Sequence, residues 1–386
     1  MSTYEKICEV FNKPIEFLYS KVYLRIFWLC RFLTHPNKWI KHKSYYPERV
    51  SKSTIKIFWE QLGQWFKYGY PNEFYFSYGF DVKSDEEIKS YLHYNPFSKL
   101  RDKYNTTVSP VNSSIPILRN KIYFEMFCSY LGVCCASTTG LWYGNKDGKI
   151  YLPQLKKSVT LNEFCHNNSG IFFLKPFEGE CGEGIIVLEI KNGKIYLGEQ
   201  ELQIDDLKKR CRGTTYLIQR KVIQHPIMAS LHPQSLNTIR LVTVKNIHTD
   251  KISIFPSILR IGTGESLVDN TSQGGIAVGI DFEKKRLKEF GFLKPQYGGR
   301  VDFHPDTHIK FKEFSIPYLD EAIMQAKILH SHLTDLHSIG WDIAIGPDGP
   351  IFIEGNDNWE INGPQICNDG LKEKFLSFLT EKSVFK

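Results

Sequence analysis

Residues 341–356 read Trp341-Asp-Ile-Ala-Ile345-Gly-Pro347-Asp-Gly-Pro350-Ile-Phe-Ile-Glu354-Gly-Asn356, and the fold turns on this stretch. Two apolar, β-branched runs, Trp341 to Ile345 and Ile351 to Glu354, flank the turn formers Pro347-Asp348-Gly349-Pro350, the pattern of a hairpin. A turn centred on Asp348 sets Asp342 directly opposite Glu354. Opposed residues share a face, and Asn356 joins it by the period of two. Two carboxylates and an amide oxygen, with no imidazole or thiolate beside them, are hard ligands suited to Mg²⁺. A slip of one residue turns Asp342 away, so the metal reading depends on register. The competing reading is a satisfied polar cluster at a strand end.

Further upstream, Ile171-Phe-Phe-Leu-Lys175-Pro176 reads as a strand ending in a lysine. A glycine segment follows, Phe177-Glu-Gly179-Glu-Cys-Gly182-Glu-Gly184, and then a second strand, Ile185 to Ile190. Bare glycine backbone lets amide groups approach phosphate oxygens, and a fixed ammonium supplies point charge. The spacing is neither the dinucleotide fingerprint nor a Walker A sequence, and no helix follows it. Taken alone it also describes an ordinary glycine-rich hairpin with a surface lysine.

The remaining chain fits around these two hairpins. Strand patterns occur at Thr215 to Gln219, Thr238 to Val244 and Ile252 to Ile261; helical patterns span Asn120 to Leu131, closed by Gly132, and Pro317 to Leu336. Residues 1 to about 110 read as aromatic-rich helices broken at His35-Pro36, Tyr46-Pro47 and Tyr70-Pro71. The expected class is α+β. The expected organisation is a basic helical segment over 1–60, a helical region over 61–115, and a main domain over 116–386. That domain divides into a lysine and glycine-loop subdomain, 116–225, and a metal-binding subdomain, 226–386.

Composition narrows the function classes. Of the formal charge of +7, the first sixty residues supply +6, from eight Lys and three Arg against five Glu. A uniformly basic nucleic-acid binder is excluded by that imbalance. Nine cysteines with no CxxC pair point to buried thiols in a reducing cytoplasm rather than to a disulfide framework or a zinc site. Glu5 and Glu9 argue against a cleavable signal peptide. Glu16, Lys21, Arg25 and Arg31 interrupt the apolar stretch Ile15 to Leu33, which argues against a spanning helix. Its mixed aromatics and cations suit either a helix docked on its own protein or peripheral contact of residues 1–45 with the inner face of a membrane. His304, His308, His330, His332 and His337 form no metal-spaced set and read as solvated helix and loop residues.

Together these pieces resemble the ATP-grasp superfamily, and more closely its sugar-transfer associated family, which is linked to polysaccharide biosynthesis. The phrases that carry the likeness are Tyr68-Gly-Tyr-Pro71, Gln224-His-Pro226, Asn237-Thr-Ile-Arg240, Gln273-Gly-Gly275, His304-Pro-Asp-Thr307, Gly340-Trp-Asp342 and Ile353-Glu-Gly-Asn356. The resemblance implies an ATP-grasp fold in which two α+β subdomains grip ATP. It assigns Lys121 and Lys175 to ATP phosphates, with Gly179, Gly182 and Gly184 in a mobile cover. It gives the hinge Gln219-Arg220-Lys221-Val222 to adenine and places His225 near the ribose. Arg240 would face the transferred phosphoryl group, for which an ordinary salt bridge is the rival reading. Asp342, Glu354 and Asn356 would hold one or two Mg²⁺, or Mn²⁺ in its place.

The chemistry implied is a carboxylate–amine ligase working through an acyl phosphate, with a sugar acid or glycan carboxylate and an amine as substrates. A phosphotransferase acting on a hydroxyl needs the same grip on ATP. A non-catalytic, membrane-associated scaffold built on the N-terminal helices is the third reading.

Overall fold

Fifteen strands in the described residues form two antiparallel sheets, whose β-branched and aromatic runs need apolar faces to pack against. The structure is a computed structural model and describes residues 22–105, 113–143, 148–177 and 184–380. The first sheet contains β1 (Thr138–Tyr143), β2 (Lys149–Leu152), β3 (Lys157–Thr160), β4 (Gly170–Pro176), β5 (Ile186–Lys191), β6 (Lys194–Leu197), β7 (Gln200–Leu202) and β8 (Thr215–Arg220). Its order is β3-β2-β1-β8-β4-β5-β6-β7. One face packs on the helices Leu161–Asn167 and Ile204–Arg210, burying Phe172, Leu174, Phe164 and Leu207 in its own core.

The second sheet contains β9 (Thr238–Lys245), β10 (Ile252–Ile261), β11 (Ile276–Asp281), β12 (Arg286–Phe292), β13 (Arg300–Val301), β14 (Ser338–Gly346) and β15 (Gly349–Asn356), in the order β13-β12-β11-β10-β9-β14-β15. The helix Leu319–His332 covers one face, where Ile239, Leu241, Trp341 and Ile343 are fully buried. The opposite face is divided. Toward one end, Val242, Val244 and Phe255 lie beneath Phe97 and Phe375, from the N-terminal helices and the last helix. Toward the other end, the same face of β9 carries Arg240 and Thr238 in place of valines. The strand thus switches from a covered apolar half to a charged half, and the charged half forms the candidate site.

The sequence expectation of mainly helical structure before the sheets holds in the described residues: helices cover Leu24–Thr34, Thr54–Tyr68, Tyr94–Asn105 and Lys121–Tyr130. Asn120 caps the last of these by accepting from the Ile122 and Tyr123 amides, and Gly132 ends it at φ +68°. Its lobe needs a correction. Leu118, Phe124 and Cys128 bury themselves in the core of the second sheet, so the helix that opens with Lys121 packs on that sheet and not in the core of the lysine-bearing one. The helix also ties the two sheets together, since Glu125 accepts the Thr138 amide of β1 at 3.0 Å.

The histidine reading needs a correction as well. His304, His330 and His337 are buried. His330 faces the Thr243 hydroxyl at 2.7 Å and the Leu336 carbonyl at 3.0 Å, and His304 faces the Gly262 carbonyl at 2.8 Å. Burial holds all three imidazoles below the usual range, and His304 and His330 serve as neutral hydrogen-bonding core residues, whereas neither ring nitrogen of His337 has a hydrogen-bond partner among the described residues.

Candidate active site

The β14–β15 hairpin presents the carboxylates through a device that the period of two does not contain. Gly346 pairs with Gly349, so the turn centres between Pro347 and Asp348, half a residue before the expected point. A regular ladder from that turn would pair Asp342 with Ile353 and send Glu354 to the other face. Instead the register shifts between Ile343 and Asp342, leaving Ile353 as the extra residue, and Asp342 pairs with Glu354. The bulge lets Phe352 enter the core at 0% exposure while Glu354, two residues on, joins Asp342.

Asp342 is 3% exposed and also pairs directly with Arg240 on β9. Arg240 donates from Nε to Oδ1 at 2.5 Å and from Nη2 to Oδ2 at 3.1 Å. A second guanidinium, from Arg260 on β10, reaches Oδ2 at 2.9 Å. Burial opposes ionisation of Asp342, but the two arginines outweigh it and hold its carboxyl at about 2. Asp269 extends the row: it accepts the Thr238 amide at 2.9 Å and lies 3.7 Å from Arg260 Nε. Arg260 and Asp269 are missing from the residue set read from the sequence. A lone arginine in the apolar run Ile252–Ile261 is the one local signal for the first.

Arg240 therefore makes the salt bridge with a neighbouring acid that stood as its rival reading. Oδ2 of Asp342 accepts two guanidinium groups, and Oδ1 accepts one, which leaves a lone pair on Oδ1. Burial and the neighbouring Asp342 charge push Glu354 above the usual carboxylate range, against the pull of Arg240 and Lys121. Asn356 donates its amide nitrogen to the Gly340 carbonyl at 3.3 Å and to Glu354 Oε1 at 3.4 Å, so Oδ1 is its candidate ligand atom. A half-buried carboxyl crowded by a second carboxylate, with an amide oxygen beside it, is a hard-oxygen set that a divalent cation would relieve. The residues fit Mg²⁺ in donor chemistry.

The lysines meet this cluster from both sheets. Burial pushes the Lys175 ammonium down to about 8, with Glu354 opposing the shift and Lys121 adding repulsion. Those interactions bring Lys175 from β4, Lys121 from the helix Lys121–Tyr130 and Glu354 from β15 into one electrostatic neighbourhood. Gly179 and Gly182 lie outside the described residues. Gly184 is described: it has φ +70°, and a Cβ there would stand 3.0 Å from Pro176.

At the hinge, Gln219 is buried and donates to the Ala136 carbonyl at 3.0 Å, and the Lys221 amide donates to the Ile171 carbonyl at 2.8 Å. Arg220 turns away, stacking on Phe172 and donating to the Ser169 carbonyl at 2.7 Å. Lys221 and Val222 line a cavity of about 380 Å³ together with Ile171, Ile223 and Leu236. His225 has a local job: its Nδ1 accepts the Ile227 amide as a helix N-cap, and its amide donates to Ile345 of β14 at 2.8 Å. Among the described residues, no cluster of three His, Cys, Asp or Glu side chains is spaced to hold a metal.

Residues 99–378 match the model of a family described as sugar-transfer associated ATP-grasp. No curated protein matches the chain. Among solved structures, the chain is similar to an ADP complex of purK, an N5-carboxyaminoimidazole ribonucleotide synthetase, at 13% identity and a TM-score of 0.36, covering 62% of this chain and 45% of that one. It is similar to the ATP-grasp ligase PsnB in complex with a precursor variant, Mg and ADP, at 13% identity and TM-score 0.38, covering 74% of this chain and 67% of that one. It is also similar to D-alanine–D-alanine ligase from Helicobacter pylori, at 13% identity and TM-score 0.37, covering 68% and 57%. This chain thus spans less than half the length of the first of these.

Proposed function

The chain belongs to the sugar-transfer associated ATP-grasp family, and from that premise we propose that it is a Mg²⁺- and ATP-dependent carboxylate–amine ligase. The observation that carries this reading is the convergence of the Lys175 and Lys121 charges on Glu354, an arrangement that would suit a triphosphate and its metal. Asp342, Glu354 and Asn356 would hold Mg²⁺, which when bound would supply charge neutralisation for the triphosphate. Lys175 and Lys121 hold the phosphates in line, and the cavity beside Lys221 and Val222 receives the base. Arg240 would face the transferred group from its place on Asp342. Its hydrogen bonds to Asp342 fix its guanidinium before substrate arrives, as preorganised electrostatic catalysis requires.

A substrate carboxylate oxygen bonds to the γ-phosphorus and ADP leaves. An amine nitrogen then attacks the acyl carbon, phosphate leaves, and an amide remains. The family name suggests a sugar acid or glycan carboxylate in surface polysaccharide biosynthesis as the first substrate. The test is a nucleotide-consumption screen of sugar acids crossed with amines. ADP release that needs both partners and yields an amide by mass, lost by at least two orders of magnitude in Glu354→Gln, supports the ligase. A phosphorylated hydroxyl product overturns it in favour of a phosphotransferase. Full biological activity of Glu354→Gln would leave only the scaffold reading.

A further inference from the structure

The N-terminal helices carry an apolar surface that the ATP site does not use. Helix Leu24–Thr34 buries Phe32 and stacks it on Phe58 of helix Thr54–Tyr68, with ring centroids 5.2 Å apart. At the other end of the pair, Trp65 donates its indole N–H to the Arg25 carbonyl at 2.9 Å, and Arg25 donates to the Phe66 carbonyl at 3.2 Å. Contacts 32 to 58 and 25 to 65 and 66 run in opposite directions, so the two helices pack antiparallel. Their outer faces carry exposed apolar side chains. Ile26, Phe27 and Leu33 are 57%, 41% and 57% exposed, and Ile55, Trp59 and Phe66 are 73%, 63% and 65% exposed. The spacing within each set is that of a single helical face. Isolated exposed apolar residues are ordinary on a protein surface, but two stripes on neighbouring helices mark an interaction site.

Charge identifies the occupant. Residues 22–70 contain six Lys and three Arg against two Glu. Both acids are already engaged, Glu48 with Arg300 at 2.6 Å and Glu60 with Lys52 at 2.9 Å. Several of the cations sit beside rings: Arg31 lies 5.8 Å from the Trp28 ring, Lys38 5.7 Å from Trp39 and Lys67 5.2 Å from Tyr68. A second copy of so positive a face would be repelled. Among the described residues no helix is long and apolar enough to cross a membrane. Rings and aliphatic side chains enter the headgroup boundary, while flanking cations meet lipid phosphates. We propose that the paired faces of helices Leu24–Thr34 and Thr54–Tyr68 dock the protein on an anionic lipid surface.

The experiment is co-sedimentation of the full chain with vesicles of phosphatidylcholine alone or mixed with about one-third phosphatidylglycerol. The chain should pellet with the anionic vesicles, and added salt should weaken that binding. Two variants address the two components, Phe27→Ser/Trp59→Ser/Phe66→Ser and Lys38→Glu/Lys67→Glu. Each should bind at least tenfold more weakly while keeping the wild-type circular dichroism and thermal midpoint, which read the fold independently of any ATP chemistry. Four results would overturn the proposal: no pelleting, equal pelleting with neutral vesicles, wild-type binding by both variants, or a concentration-dependent dimer abolished by the apolar variant in place of vesicle binding. Wild-type binding by both variants together with loss on deleting residues 1–21 would move the contact to that segment.

Discussion

Substituting Asp342 by Asn keeps the shape of the side chain at the centre of the charged ladder and removes its charge. The wild-type carboxylate is buried between Arg240 and Arg260, and it titrates at about 2 against an ordinary 3.8. A depression of that size corresponds to on the order of 2 kcal/mol of folding stability. The folded value lies below the unfolded one, so this stability is complete at neutral pH, begins to fade near the unfolded value and is lost as pH falls through about 2. At neutral pH the Asn variant should unfold about 2 kcal/mol more easily, because two half-buried guanidinium groups lose their counter-charge. Part of that deficit returns through Glu354, which the Asp342 charge pushes up and which ionises more readily once that charge is gone. The assay is urea unfolding followed by tryptophan fluorescence. Trp341 and Trp359, 0% and 1% exposed, report from the cores on the two faces of this sheet. At about pH 3 roughly half of the deficit should remain, since the carboxyl is by then largely protonated in the unfolded wild type and still mostly ionised in the folded one. A variant as stable as wild type at neutral pH, or a deficit unchanged on acidification, would refute the arginine clamp as the origin of the shift.

Two further outcomes follow from the same geometry. With its ammonium held at about 8, Lys175 is cationic below that pH and neutral above it. Binding of a fluorescent ATP analogue should therefore weaken as pH rises from roughly 7 to 10, whereas Lys175→Arg should give a flat profile over that range; parallel profiles would remove Lys175 from the phosphate site. Deleting Ile353 lets the two-residue turn alone pair Asp342 with Glu354, so the variant should keep Mg²⁺-dependent ADP release within about tenfold of wild type. Complete loss of release in a folded deletion variant would show that the bulge does more than set the face.

The strands at Gly170–Pro176, Thr238–Lys245 and Ile252–Ile261 are legible because β-branched runs between glycine and polar turns leave few alternatives. The helix Lys121–Tyr130 is legible from its Asn120 cap and Gly132 stop, but the lobe it joins is not, since that depends on where Leu118 and Phe124 find a core. Arg260 and Asp269 escape for the same reason. They meet Asp342 across strands far apart in the chain, and no local pattern records which rows of a sheet align. The hairpin is the instructive case. Counting from Asp348 gives the observed Asp342–Glu354 pair, yet the turn lies half a residue earlier and the extra residue Ile353 makes up the difference. A conflict in the sequence points to that residue. Phe352 and Glu354 stand two apart, so a regular strand would put a large ring and a carboxylate on one face, and the interior accepts one and rejects the other. Only an extra residue between them satisfies both. A strand with such opposed neighbours near a turn therefore predicts a bulge before any register is assigned.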